Sequence, residues 1–205
     1  MNRLDYIKQN ELGFEGDTIA RDKFKLIIES NKINRVIETG TFLGNTTKHF
    51  AYWVDSVYTI EVNKDNFTKA KNNLATFANV ESIFGNSAKE LDILLKSLYP
   101  VRNGKFRGIK TPKVFFFLDA HWESYNPLLE ELNVISKYDI DPFIAIHDFK
   151  VPNHPELGFD SYAGQDYDFD WIKKGVESIY GTEYKVEYNS EATGAKRGVI
   201  YLSGK

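Results

Sequence analysis

Cysteine is absent from this chain of 205 residues, and methionine occurs once. Without cysteine there is no disulfide, no zinc–thiolate centre, no iron–sulfur cluster and no thiol nucleophile. A reducing compartment suits such a chain. Also missing is an excess of basic charge: 26 Lys and Arg face 29 Asp and Glu, for a formal net charge of -3. Proteins that hold nucleic acid by neutralising phosphates are usually basic, so nucleic acid is not an expected partner. Long hydrophobic runs are lacking too. The longest, Val114 to Leu118, has the length of a strand, whereas a bilayer span needs roughly 20 residues. Residues 1–16 are polar and mixed in charge, without the apolar stretch of a secretory leader. The expectation is a cytoplasmic protein with no membrane partner. It forms a single domain over 1–205, with 1–16 as an N-terminal extension.

Aromatic residues make up 15% of the chain, enough for a core and for a lined pocket. Runs rich in β-branched and aromatic residues recur at 35–39 (RVIET), 57–62 (VYTIEV), 80–84 (VESIF), 113–118 (KVFFFL) and 143–146 (FIAI). Several are continuous rather than alternating, as expected of parallel strands covered on both faces. Between them, helical periodicity marks 17–31, 63–77, 87–98 and 124–137, the first with Asp17 or Thr18 as its cap and the second opening on Asn63. This alternation predicts an α/β, doubly wound, Rossmann-like sheet with right-handed crossovers and helices on both faces. A further helix at 169–180 precedes two runs at 184–189 and 198–202, which read as an antiparallel C-terminal hairpin closing the sheet. Two connections are long. Residues 99–112 carry Arg102, Lys105, Arg107 and Lys110 with no acid; residues 151–168 carry Glu156, Asp160, Asp166 and Asp168 among aromatics, with no base. The second follows a strand's carboxyl end, where α/β ligand sites form, and reads as a mobile loop hinged near Gly164 that closes over a ligand.

The first strand runs into Glu38, Thr39, Gly40, Thr41, Phe42, Leu43, Gly44, Asn45 and Thr46. A glycine-bearing turn between a parallel strand and a helix lets backbone N–H groups approach a ligand. The middle glycine of the dinucleotide fingerprint is missing, and the acid Glu38 stands at the strand tip. A carboxylate there repels pyrophosphate and attracts ammonium, which points to a cationic, phosphate-free nucleoside. Glu61, at the tip of the second strand, is placed to accept hydrogen bonds from ribose hydroxyls. Asn86 and Ser87, after the third, suit an adenine edge or a helix cap. The fourth strand ends in Asp119, Ala120, His121 and Trp122, the fifth in His147 and Asp148. Neighbouring strand tips bring these carboxylates and imidazoles together. Asp119 and Asp148 suit a hard divalent cation, and His121 or His147 suits a general base.

The E-x-G-x-[aromatic]-x-G run, the acid at the second strand tip and the D-x-H-W run resemble class I S-adenosylmethionine-dependent methyltransferases, the small-molecule O-methyltransferases of catechol, caffeoyl-CoA and macrocin type in particular. That resemblance implies a seven-stranded, mostly parallel sheet in the order 3-2-1-4-5-7-6. It implies cofactor contacts from Glu38, Gly40, Thr41, Phe42, Gly44, Asn45, Thr46, Glu61, Asn86, Ser87, Asp119 and Trp122. It further implies catalysis by Asp119 with His121 or His147, and magnesium or manganese on Asp119 and Asp148 as a candidate metal. The catechol and plant enzymes place a lysine where this chain has Trp122 and Glu123, and an asparagine where it has Phe149. The implied activity is methyl transfer to an oxygen of a small-molecule acceptor. The alternatives are methylation of a small amine, or a non-catalytic cofactor-binding module. A homodimer is compatible with the sequence.

Overall fold

The computed structural model describes residues 12–102, 111–121 and 125–205. Seven strands build one sheet: β1 (Arg35–Thr39), β2 (Ser56–Glu61), β3 (Val80–Phe84), β4 (Lys113–Leu118), β5 (Asp141–His147), β8 (Tyr184–Tyr188) and β9 (Val199–Gly204). Their order is β3-β2-β1-β4-β5-β9-β8. The first five run parallel, and β9 lies antiparallel to both β5 and β8. This is the expected topology. The last two strands take higher numbers only because a short hairpin, β6 (Ser161–Tyr162) with β7 (Gln165–Asp166), precedes them. The helices are α1 (Thr18–Asn31), α2 (Asn45–Trp53), α3 (Lys64–Asn73), α4 (Ser87–Leu98), α5 (Leu128–Ser136) and α6 (Phe169–Tyr180). No helix among the described residues is long and apolar enough to cross a membrane.

Both faces of the sheet are covered, which explains the unbroken apolar runs. Along β4 the side chains alternate between two cores. Val114, Phe116 and Leu118 pack with Leu91, Leu95, Leu132, Ile172 and Val176 from α4, α5 and α6. Phe115 and Phe117 face the other way, onto Phe24, Ile28 and Phe50 from α1 and α2. Side-chain caps start the helices as the sequence indicates: Asp17 accepts from the Ile19 and Ala20 N–H groups, Asn63 from Asp65 and Asn66, and Asn86 from Lys89.

Two connecting segments are tied into the fold. Residues 12–16 form the described part of the N-terminal extension. A 3-10 turn at Gly13–Gly16 buries Phe14 among Phe24, Phe50, Trp53 and Phe117, with ring centroids 5.4 to 6.2 Å apart. The Phe14 N–H donates to Thr46 Oγ1 at 2.9 Å, tying the segment to the first turn of α2. Residues 151–168 are likewise docked rather than loose. Val151, Leu157 and Tyr167 are buried. Backbone N–H groups of Lys150 and Asp160 donate to Tyr167 and Asp148 carbonyls, and Gly158 exchanges bonds with Lys196 and Gly198. Gly164 sits at the tip of the short hairpin with φ 82. Of the basic connection, Arg102 donates from Nη1 to the Ile179 carbonyl at 3.0 Å; Lys105, Arg107 and Lys110 lie outside the described residues.

Candidate active site

The strand tips β1, β2 and β4 open into one cavity of about 460 Å³. Its floor is the turn after β1. Gly40 adopts φ 85, and a Cβ there would lie 2.4 Å from the Asp119 carbonyl oxygen, so the β1 and β4 tips approach as closely as only glycine permits. Gly44, at φ 80, caps α2 and is not among the wall residues. Gly40, Thr41, Phe42, Asn45 and Thr46 do line the cavity.

Glu61 lies in the wall and is nearly buried. Its Oε2 accepts from the Phe42 N–H at 2.7 Å and its Oε1 from the Asn63 N–H at 2.8 Å. Burial raises its pKa, while those backbone donors pull the other way. The two bonds aim the carboxylate and still leave each oxygen a lone pair for a ligand. Asn86 and Ser87 also line the cavity. Asn86 does two jobs: it caps α4, and its Nδ2 donates to the Tyr125 hydroxyl at 3.1 Å. Trp122 lies outside the described residues.

Glu38 lies deeper than the strand-tip residue Glu61. It is fully buried beneath the turn and is not part of the cavity wall. Its Oε2 accepts from Thr47 Oγ1 at 2.5 Å and Thr59 Oγ1 at 2.6 Å, binding α2 to β2. Its Oε1 is buried with no hydrogen-bond partner among the described residues. Burial pushes its pKa up to about 8, against the two hydroxyls and with help from the neighbouring Asp119 and Glu61 charges. A strand-tip carboxylate reads the same in sequence whether it faces a ligand or its own helix.

At the β4 and β5 tips the acids and imidazoles do converge. His121 lines the cavity, and its Nε2 lies 3.4 Å from Asp148 Oδ2, 3.7 Å from Asp160 Oδ2 and 3.9 Å from Asp119 Oδ1. All three contacts fall on Nε2, which favours the tautomer protonated there and leaves Nδ1 basic. Burial works to lower the His121 pKa, but the Asp148 hydrogen bond and the three carboxylate charges outweigh it and raise the value. His147 is only 3% exposed, sits against Phe117 and does not reach the cavity wall. Its Nδ1 lies 3.3 Å from Asp119 Oδ1 and 3.2 Å from Asp148 Oδ1. Burial opposes its charge, and the two aspartates raise its pKa well above the ordinary value. Asp148 is fully buried at φ 58, a conformation that Asp tolerates better than most residues.

Four further residues surround the cluster and the cavity. Arg197, from the β8–β9 connection, donates through Nε to Asp148 and through Nη2 to Asp160. It is the base that 151–168 lacks. Glu131 of α5 is buried behind Asp119, and burial pushes its carboxyl up to about 7 despite nearby Ser87 and Thr39. Glu15 and Leu12 enter the cavity wall from the N-terminal segment. No pattern in the sequence marks Glu15 or Arg197 as site residues.

No family model matches the chain, and no curated protein matches it. Solved structures do. An O-methyltransferase from Bacillus cereus in complex with SAH superposes with a TM-score of 0.65 at 16% identity, over 99% of this chain and 89% of that one. The O-methyltransferase TomG from Streptomyces achromogenes, involved in tomaymycin synthesis and solved with SAM, gives 0.61 at 18%, over 91% and 79%. An rRNA methylase from Streptococcus thermophilus gives 0.51 at 14%, over 84% and 87%. The chain has the class I methyltransferase fold. In that fold the cavity described above opens at the carboxyl ends of β1, β2 and β4, the side on which ligands bind in open α/β sheets.

Proposed function

We propose that the protein transfers a methyl group from S-adenosylmethionine to an oxygen of a small-molecule acceptor. One observation carries the cofactor reading. Glu15, Glu61 and Asp119 line the cavity, and among its described wall residues there is no lysine or arginine. Such a wall disfavours a dinucleotide pyrophosphate and suits a nucleoside that carries positive charge. When bound, S-adenosylmethionine supplies an electrophilic methyl on a sulfonium. Glu61 accepts hydrogen bonds from the ribose, Asn86 and Ser87 face the base, and the Gly40 turn admits the chain backbone close to the ligand.

His121 holds the position of the general base. Its Nε2 is fixed by Asp148, with Asp119 and Asp160 beside it. Nδ1 then receives the acceptor proton while the wall aligns donor and nucleophile. His147 is buried beneath this arrangement, with its Nδ1 near Asp119 and Asp148. One observation favours a metal-assisted variant: ligating atoms of Asp119, His121 and Asp148 lie within 4.8 Å of one another. Two carboxylate oxygens and an imidazole nitrogen fit a divalent cation such as manganese. These three residues would hold it, and it would acidify the acceptor hydroxyl. The formal net charge of -3 favours a small acceptor over RNA.

Isothermal calorimetry with S-adenosylhomocysteine tests the cofactor reading. The unaltered protein is expected to bind it, and Glu61→Ala to bind at least about tenfold more weakly, since losing a charged hydrogen-bond acceptor costs about 1.5–3 kcal/mol. Binding that is absent in the unaltered protein, or identical in the variant, contradicts the assignment.

A further inference from the structure

Glu38 lies beneath the turn and outside the cavity wall, whereas Glu15 stands in that wall, where the ammonium of a zwitterionic amino-acid tail can meet a carboxylate. We infer that Glu15, held over the glycine turn by a strained N-terminal strap, pairs with the ammonium group at the amino-acid end of the cofactor. The inference rests on the cofactor proposed above.

The backbone is the first argument. Phe14 and Glu15 adopt φ 52 and φ 51, two consecutive side-chain-bearing residues in the left-handed region. Each is an unfavourable conformation that persists only when its surroundings over-determine it. Here they do so from both sides. Phe14 is sunk in the aromatic core, and its N–H is bound to Thr46 Oγ1. The Glu15 carbonyl accepts from the Ala195 N–H at 3.1 Å. Thr193 donates from Oγ1 to the Gly16 carbonyl at 3.0 Å, and from its N–H to Asp17 Oδ1 at 3.2 Å. The fit is close: a Cβ on Gly194 would lie 2.3 Å from the Glu15 carbonyl oxygen. Core packing alone calls only for Phe14; the strained turn also delivers the next side chain into the cavity.

The second argument is where Glu15 arrives. Phe14 is bonded to Thr46, which lines the same cavity as Gly40, Thr41 and Asn45. A Glu15 oxygen also lies within 4.8 Å of ligating atoms of His147 and Asp148. The strap therefore brings a carboxylate to the junction of the glycine turn and the catalytic cluster. The amino-acid tail of the cofactor passes there if its ribose rests on Glu61. An ammonium at that point gains a charge-assisted hydrogen bond inside a partly closed, low-dielectric pocket.

Paired ligands isolate the interaction. S-adenosylhomocysteine carries the amino-acid tail, whereas 5′-methylthioadenosine keeps the nucleoside and lacks the tail. Calorimetry on the Glu15→Gln variant is expected to show roughly tenfold or greater weakening for S-adenosylhomocysteine and less than about twofold for 5′-methylthioadenosine. The Glu61→Ala variant, by contrast, weakens both. Unchanged or tighter S-adenosylhomocysteine binding in Glu15→Gln overturns the inference. Equal weakening of both ligands also overturns it, because the loss then reflects a disturbed strap. Failure of the unaltered protein to bind either ligand overturns the cofactor reading and this inference with it.

Discussion

Replacing Glu38 with glutamine is expected to remove roughly half of the alkaline loss of stability from this protein. The Glu38 carboxyl titrates at about 8 in the folded chain, against 4.5 when exposed. The folded state therefore holds a proton that the unfolded state releases between those values. Stability is highest below about pH 4.5 as far as this group is concerned, and it falls as pH rises toward 8. The change across that window is on the order of 4–5 kcal/mol. For a chain of this size that corresponds to a melting temperature lower by roughly 10 °C. Glutamine keeps an oxygen for the Thr47 and Thr59 hydroxyls and carries no proton to lose. Thermal unfolding followed from pH 5 to pH 8.5 should show a clear decline in the unaltered protein and one reduced by roughly half in the variant. Glu131, pushed up to about 7 by the same cause, leaves a residual slope in both. Parallel curves for the two proteins would show that Glu38 ionises freely in the fold.

The second large effect concerns chemistry. His121→Ala should lower turnover by roughly 10²–10⁴, the usual range for general acid–base catalysis, while S-adenosylhomocysteine affinity stays within about twofold. The separation arises because His121 stands at the β4 tip beside Asp119, Asp148 and Asp160, away from Glu61 and Asn86. His147→Ala tests the fold more than the reaction, since that ring is buried under the cluster. Turnover measured as S-adenosylhomocysteine release, with and without EDTA, then assigns the route. Loss restored by manganese places a cation on Asp119, His121 and Asp148; survival leaves the proton with His121 alone. Full activity in His121→Ala contradicts both routes.

The sheet was legible because its signals are local. The runs at 35–39, 80–84 and 113–118 coincide with β1, β3 and β4, and 87–98 and 169–180 coincide with α4 and α6. Continuous apolar strands between amphipathic helices leave few other folds open. The cavity wall was legible from the Gly40 turn and from Glu61, since strand tips place such residues with little help from elsewhere. Residues 12–16 were not legible: left-handed residues carry no period, and the Thr193 contacts that hold the strap come from 176 positions away. Residues 151–168 misled for the same reason. Acids and tyrosines with no base suggest a mobile, ligand-facing loop. The base, Arg197, sits in another connection and pins Asp160 to Asp148 across the fold. Glu38 shows the remaining limit. Sequence places it at a strand tip, but only packing decides that it faces Thr47 and Thr59 rather than the cavity.

The central claim is methyl transfer. Its most direct test incubates the protein with S-adenosylmethionine bearing a deuterated methyl group and a pooled set of small hydroxylated compounds, followed by mass spectrometry. The expected result is a deuteromethylated compound together with an equal amount of S-adenosylhomocysteine, both lowered by roughly 10²–10⁴ in His121→Ala and reduced in Glu61→Ala at sub-saturating cofactor. Folded, cofactor-saturated protein that releases no S-adenosylhomocysteine above the enzyme-free control, across the whole set, would contradict it.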